Sequence, residues 1–229
     1  MYRIQFCSLE KLKLKNGKLK TPKDSDWVYL TSEDPFDDLY YYYDDANKKR
    51  IELYKRGDGY YRIVEDSGIM LMNILDQTMA DGPGLRTSIY CSGCYHKCPK
   101  CHNPQTHDIN NGAYTPVSQI LEKIINSPCN GVTFTGGDPL YQSSGFEELA
   151  RRIQMYTDKN IWCYTGFTYE QILKSPLSHI LKYIDILVDG PYIDELRSEK
   201  LAFRGSSNQR IIDVKTGENI SHLFDSKLN

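Results

Sequence analysis

The chain has 229 residues, 40% of them hydrophobic, enough to bury one full core and leave room for a small second domain. Its 28 basic and 30 acidic side chains leave a formal net charge of -2, which excludes a general attraction to nucleic acid or to an anionic membrane surface. The N-terminal MYRIQFCSLEKLK lacks the apolar run of a signal peptide and no stretch reaches membrane-spanning length, so a cytoplasmic protein is expected.

Residues 1–66 read as a small β-rich extension. KLKLKNGKLK alternates leucine with lysine around Asn16-Gly17, a dipeptide that accepts the positive backbone angles of a two-residue turn; this predicts a hairpin with Leu14 opposite Leu19. A second hairpin is predicted over Arg50 to Glu65, where RIELYKR and YYRIVE flank Gly57-Asp58-Gly59. Between them lies the acidic, tyrosine-rich EDPFDDLYYYYDD. Thirteen basic and thirteen acidic side chains balance within these residues, so the lysine-rich strands do not amount to a nucleic-acid surface. No catalytic motif, repeat or low-complexity linker is found there.

From residue 69 the pattern alternates between short apolar runs and amphipathic segments. Asp81-Gly82-Pro83-Gly84 reads as a tight turn, and Leu85 to Cys91 as a strand running directly into CSGCYHKCPKC. A helix is expected after Thr115 as N-cap, with Pro116 in its first turn and Val117, Ile120, Leu121, Ile124 and Ile125 as its apolar stripe. Gly131 to Thr135 is a short buried strand ending in Gly136-Gly137-Asp138-Pro139. The following helix is expected to open with a capping box of Ser144 and Glu147 and to turn Phe146, Leu149, Ala150 and Ile153 inward. Further strands are expected at Ile161 to Tyr164 and Ile184 to Val188, with helical segments at Glu170 to Lys174 and Leu177 to Tyr183. Repeated β-α units imply a parallel sheet, here too short to close an eight-stranded barrel. In such a sheet the strand ends gather on one rim, so the Gly-Gly-Asp-Pro turn is expected to face the cysteine loop.

Four of the seven cysteines fall within Cys91 to Cys101. Cys94, Cys98 and Cys101 have the spacing C-x3-C-x2-C, which allows three thiolates of one loop to bind three corners of a cubic iron-sulfur cluster, leaving the fourth iron open to a substrate. The same stretch can be divided into two C-x-x-C pairs, Cys91 with Cys94 and Cys98 with Cys101, as for a structural zinc ion. Only three residues separate the pairs, far fewer than lie between the knuckles of a zinc ribbon. The odd, clustered cysteine count also fits a reducing compartment better than a disulfide framework, and Cys7, Cys129 and Cys163 read as small apolar residues.

The cysteine triplet followed by His102, together with the Gly-Gly-Asp-Pro turn, resembles the radical S-adenosylmethionine activases. Within them the chain is most similar to the activating subunits of anaerobic ribonucleoside-triphosphate reductase. DGPGLR, CPKCHNPQTHD, VTFTGGDPLY, IWCYTGFTYEQI, IDILVDGPYIDEL and FRGSSNQRIIDV carry the resemblance. It implies an open, partial parallel β/α barrel over residues 67–229, with the extension of residues 1–66 outside it. It implies a 4Fe-4S cluster on Cys94, Cys98 and Cys101, and S-adenosylmethionine bound at the open iron and contacted by Gly136, Gly137 and Asp138 of the turn. Lys100, Cys101 and His102 fall where the family also meets this cofactor.

The implied reaction is reductive cleavage of S-adenosylmethionine and removal of hydrogen from a backbone glycine of the large reductase subunit, with a flavodoxin- or ferredoxin-like protein supplying the electron. A protein substrate accounts for the lack of a side-chain acid-base pair. Two positions depart from the family: Cys91 replaces an apolar strand residue and reads as a buried thiol, and Pro191 follows Asp189-Gly190 where many relatives carry lysine. The polar run Arg204 to Arg210 is expected near the active rim or a partner surface. The same radical chemistry directed at another glycyl-radical enzyme or at a small molecule of the deazapurine type is one alternative, and a non-catalytic zinc-binding module held by the two C-x-x-C pairs is the other.

Overall fold

The computed structural model describes residues 67–225 in full and, before them, the backbone of seven strands. The chain divides into two compact units, Met1–Asp66 and Ser67–Asn229.

In the first unit the strands are β1 (Tyr2–Ser8), β2 (Leu14–Lys15), β3 (Lys18–Leu19), β4 (Val28–Ser32), β5 (Asp38–Asp44), β6 (Lys49–Arg56) and β7 (Gly59–Ile63). β2 and β3 form the hairpin that Asn16-Gly17 predicts, with Leu14 opposite Leu19. The second hairpin pairs β6 with β7, and Gly59 is already a strand residue, opposite Arg56. The tyrosine run, for which the sequence reading offered no element, is β5; it pairs antiparallel with β6, as suits the high β-propensity of tyrosine. Five strands make one antiparallel sheet in the order β4-β1-β7-β6-β5.

The second unit contains β8 (Gly68–Thr78), β9 (Arg86–Cys91), β10 (Ala113–Pro116), α1 (Val117–Asn126), β11 (Gly131–Gly136), α2 (Ser143–Tyr156), β12 (Asn160–Tyr164), α3 (Tyr169–Leu173), β13 (Ile186–Asp189), β14 (Arg210–Asp213), β15 (Glu218–Asn219) and α4 (His222–Asp225). Its eight-stranded sheet has the order β10-β8-β9-β11-β12-β13-β14-β15 and is open. Only β9, β11, β12 and β13 are mutually parallel. The expectation of a parallel sheet is thus corrected: the fold is mixed α/β, with antiparallel strands on both flanks. The short 79–85 connection cannot cross over the sheet, so β8, which the sequence reading missed, must return antiparallel into β9.

Alternation along the strands separates two faces. Ile89, Cys91, Val132, Phe134, Ile161, Cys163, Leu187 and Ile212 join the core that the helices cover with Ile120, Leu121, Ile124, Phe146, Leu149 and Ile153. Each large apolar side chain buried there contributes roughly 1.5–3 kcal/mol relative to exposure. On the other face Trp162, Val188 and Ile211 pack with Phe203 and Phe224. The arginine of DGPGLR, Arg86, is 1% exposed, and its Nε, Nη1 and Nη2 donate to Thr133 Oγ1, Asn160 Oδ1 and the Val132 carbonyl at 2.7, 2.8 and 2.7 Å. Its guanidinium lies 5.3 Å from the Trp162 ring, and burial pushes it down to about 10. It ties β9, β11 and β12 together at the end opposite the cysteines.

Three local expectations are corrected. The N-cap of α1 is Pro116, because a residue before proline is driven to extended backbone; Thr115 therefore stays in β10, opposite Ile69. Ile125 is 43% exposed: at about 100° per residue it lies about 80° around the helix from Val117, at the edge of the buried stripe. α2 has no capping box, since a 3-10 turn over Pro139–Gln142 runs straight into Ser143 and Gln142 becomes the N-cap residue. A capping box does form at α3, between Thr168 and Gln171. Among the described residues no helix is long and apolar enough to cross a membrane.

Candidate metal centre

β9, β11, β12 and β13 run in one direction, so Cys91, Gly136, Tyr164 and Asp189 end neighbouring strands on a common rim. The cysteine loop leaves β9 here and is fastened at its stem. Ser92 N–H donates to the Met70 carbonyl (2.9 Å), Gly93 N–H to that of Thr106 (2.7 Å) and Cys94 N–H to that of His107 (3.1 Å). The Gln142 side chain, which accepts from Met70 N–H, donates to the Met70 and Ser92 carbonyls at 3.1 and 2.8 Å. Lys97 and Lys100, each immediately before a cysteine, have φ of 48° and 55°, and these left-handed residues fold the loop back on itself.

Cys94, Cys98 and Cys101 are half-buried, whereas Cys91 is fully buried. Burial pushes the Cys94 thiol up from its ordinary value, while backbone N–H groups of His96 and Lys97 favour the thiolate. Asn103 N–H donates to Cys101 Sγ at 3.4 Å. Among the described residues no three His, Cys, Asp or Glu side chains are grouped as around a single ion. The donor set fits a cluster, in which each thiolate binds its own iron: three thiols in one loop, with peptide N–H groups turned toward the sulfurs of Cys94 and Cys101. Cys91 has 0% exposure on the helix-facing side of the sheet, and burial, with the charge of Asp138 adding to it, holds its thiol far above the ordinary range. The two-pair zinc arrangement therefore lacks its first sulfur.

The Gly-Gly-Asp-Pro turn lies against the stem of this loop, as its place after β11 implies. Gly137 N–H donates to the Cys91 carbonyl (2.7 Å) and Asp138 N–H to that of Gly93 (3.0 Å). No side chain fits at either glycine. A Cβ at Gly136, where φ is 99°, would come within 2.6 Å of the Cys91 backbone, and one at Gly137 within 2.5 Å of the Gly93 oxygen. Asp138 is 1% exposed, and its carboxylate is engaged within the protein rather than presented to a ligand. Oδ1 accepts from Leu140 N–H at 2.9 Å; Oδ2 accepts from the Thr165 hydroxyl (2.9 Å), Gly166 N–H (3.0 Å) and His96 Nε2 (2.9 Å).

Lys100 and His102 turn toward the segment after β13. Lys100 Nζ lies 2.6 Å from Asp194 Oδ2, and the His102 ring is 5.2 Å from that of Tyr192. The hydrogen bond from Lys100 holds the Asp194 carboxyl below its usual value and raises the ammonium in turn. The Arg204 to Arg210 run reaches the same rim: Asn208 and Gln209 amides donate to the Pro191 and Gly190 carbonyls at 2.8 and 3.1 Å, and Arg210 bridges Asp189 and Glu170. Sequence reasoning missed His96 and Thr165-Gly166. The only available signal was their place inside the cysteine loop and in the polar turn after β12.

An open α/β sheet with three thiols in a rim loop defines a class of single-cluster iron-sulfur proteins. Consistent with it, the family model described as "4Fe-4S single cluster domain" matches residues 80–212. The anaerobic ribonucleoside-triphosphate reductase-activating protein of Enterobacteria phage T4 is 36% identical over 138 residues, covering 57% of this chain and 85% of the phage protein. Proteins of the same name from Escherichia coli K12 (33% over 141 residues) and Vibrio cholerae (36% over 143 residues) are each covered to 90%, by 57% and 58% of this chain. The chain belongs to the family of anaerobic ribonucleoside-triphosphate reductase-activating proteins.

Proposed function

We infer that the protein is a glycyl-radical activase, an oxidoreductase acting on anaerobic ribonucleoside-triphosphate reductase. The observation that carries this reading is the cysteine loop locked on the Gly-Gly-Asp-Pro turn, within a chain that aligns to nearly the whole length of proteins bearing that name. With a 4Fe-4S cluster and S-adenosylmethionine bound, the cofactors supply one-electron cleavage of the sulfonium and a radical able to take hydrogen from a glycine Cα of the reductase.

We assign Cys94, Cys98 and Cys101 as the cluster ligands. The turn Gly136-Gly137-Asp138 is assigned to S-adenosylmethionine through its backbone, since the Asp138 carboxylate is engaged inward and the glycines let the turn lie directly against the cysteine loop. Lys100 and His102, which flank the third ligand and turn toward Asp194 and Tyr192, are assigned to the same cofactor by their place in the loop. The half-buried position of the three thiols limits water around them, and the hydrogen-bonded stem keeps the loop in one geometry.

In this reading the second unit is a partial barrel of the radical S-adenosylmethionine type, supported by four parallel strands ending beside the thiols. A flavodoxin- or ferredoxin-like protein of the cytoplasm is the proposed electron donor. The first unit is a separate extension.

The test is electron paramagnetic resonance on an anaerobic mixture of this protein, the reductase large subunit, S-adenosylmethionine and a strong reductant, with 5'-deoxyadenosine quantified. A glycyl radical with matching nucleoside is expected. Nucleoside without a protein radical would redirect the activity to another glycyl-radical enzyme or a small molecule; neither product, with zinc in place of iron, would overturn the activase reading.

A further inference from the structure

Of the three residues between Cys94 and Cys98, Tyr95 and Lys97 are exposed and only His96 is turned inward, its side chain 17% exposed. Its Nε2 lies 2.9 Å from Asp138 Oδ2. That oxygen already accepts from the Thr165 hydroxyl and Gly166 N–H, so the pair is read with Nε2 as the donor. One buried carboxylate thus joins the cysteine loop, the turn after β11 and the turn after β12. The imidazole is enclosed as well as bonded: its centroid is 4.6 Å from that of Phe167, edge-on, and 5.4 Å from that of Tyr141. Gly166 leaves the space for it, since a Cβ there would stand 2.5 Å from His96 Cδ2.

We propose that His96 is a positioning residue for the cluster: its hydrogen bond to Asp138 fixes the Cys94–Cys98 arc on the rim and sets the direction in which the thiolates meet iron. This rests on the cluster reading above and adds to it a residue that binds neither iron nor cofactor. Partners of this kind orient metal ligands, and their loss typically weakens metal binding or activity about 10–100-fold. A packing role alone would be satisfied by any side chain of similar volume. The positioning role requires an N–H at the Nε2 position, which glutamine can supply and leucine cannot.

The experiment compares wild-type protein with His96→Leu and His96→Gln after anaerobic reconstitution. It measures iron and sulfide per chain across an iron titration, the electron paramagnetic resonance spectrum of the reduced cluster with and without S-adenosylmethionine, and circular dichroism. His96→Leu is expected to keep the wild-type circular dichroism, to need about 10–100-fold more iron for half-loading, and to show an altered spectrum; His96→Gln restores both. A folded His96→Leu protein with wild-type loading and spectrum overturns the proposal. Should His96→Leu not fold, Gly166→Ala displaces the ring while retaining the histidine, and normal loading and spectrum in that variant are equally fatal. Wild-type protein that takes up no iron would instead overturn the cluster reading itself.

Discussion

Two cysteines three residues apart have different chemistry because one ends a strand and the other begins a loop. Cys91 points into the helix-covered core, where a thiol stays protonated; Cys94 lies beyond the strand, in a half-buried loop where the peptide N–H groups of His96 and Lys97 favour its thiolate. Cys98→Ala is therefore expected to abolish cluster binding and S-adenosylmethionine cleavage. Cys91→Ala is expected to retain both and to lose about 1 kcal/mol of stability from a small cavity. Iron content and denaturant melts check the pair, and loss of the cluster in the Cys91 variant would contradict the three-ligand assignment. Gly137→Ala is a sharper substitution than it looks, because the new methyl group would meet the Gly93 oxygen at 2.5 Å. The turn must then move away from the loop stem, and the KM for S-adenosylmethionine is expected to rise about tenfold, measured by 5'-deoxyadenosine release.

Between elements, the clearest electrostatic tie is Arg210 of β14, which meets Asp189 at the end of β13 and Glu170 in the first turn of α3. Hydrogen bonds from Arg210 hold the Glu170 carboxyl at about 2, well below its ordinary 4.5. A depressed carboxylate stabilises the fold above its unfolded value and ceases to do so as pH falls through the folded one. The Tm difference between wild type and Glu170→Gln should thus be full at pH 6, shrink below about pH 4.5 and vanish near pH 2. Glu170 is 56% exposed, so solvent screening keeps the difference small. A difference that persists unchanged at pH 2 would remove the ion pair as its cause.

For the whole molecule, the two-unit division has a functional consequence. Among the described residues, the core that carries the rim is assembled within the second unit. Alignments that use 85–90% of the relatives leave them too little length for a counterpart of the Met1–Asp66 unit. Removing residues 1–66 should leave iron loading and S-adenosylmethionine cleavage within about twofold of the full chain, since the remaining unit keeps its own core. A truncated, folded protein unable to load iron would assign the extension a part in the metal centre.

The metal chemistry was legible in the sequence because it depends on local spacing: C-x3-C-x2-C brings three thiols into one loop whatever surrounds them. The same holds for the Asn16-Gly17 hairpin and the inward face of α2, whose signals span only a few residues. The antiparallel flanks were not legible, because strand direction at a sheet edge depends on where a connection travels. The helix start misread as the Ser144-Glu147 box was decided by the 3-10 turn that runs into it, whereas the one misread as Thr115 had its signal in the sequence, since the residue before Pro116 is held extended and pairs with β8. Only the tertiary structure could bring His96, Asp138 and Thr165 to one point, since hydrogen bonds between residues 42 and 27 positions apart leave no mark in a local pattern.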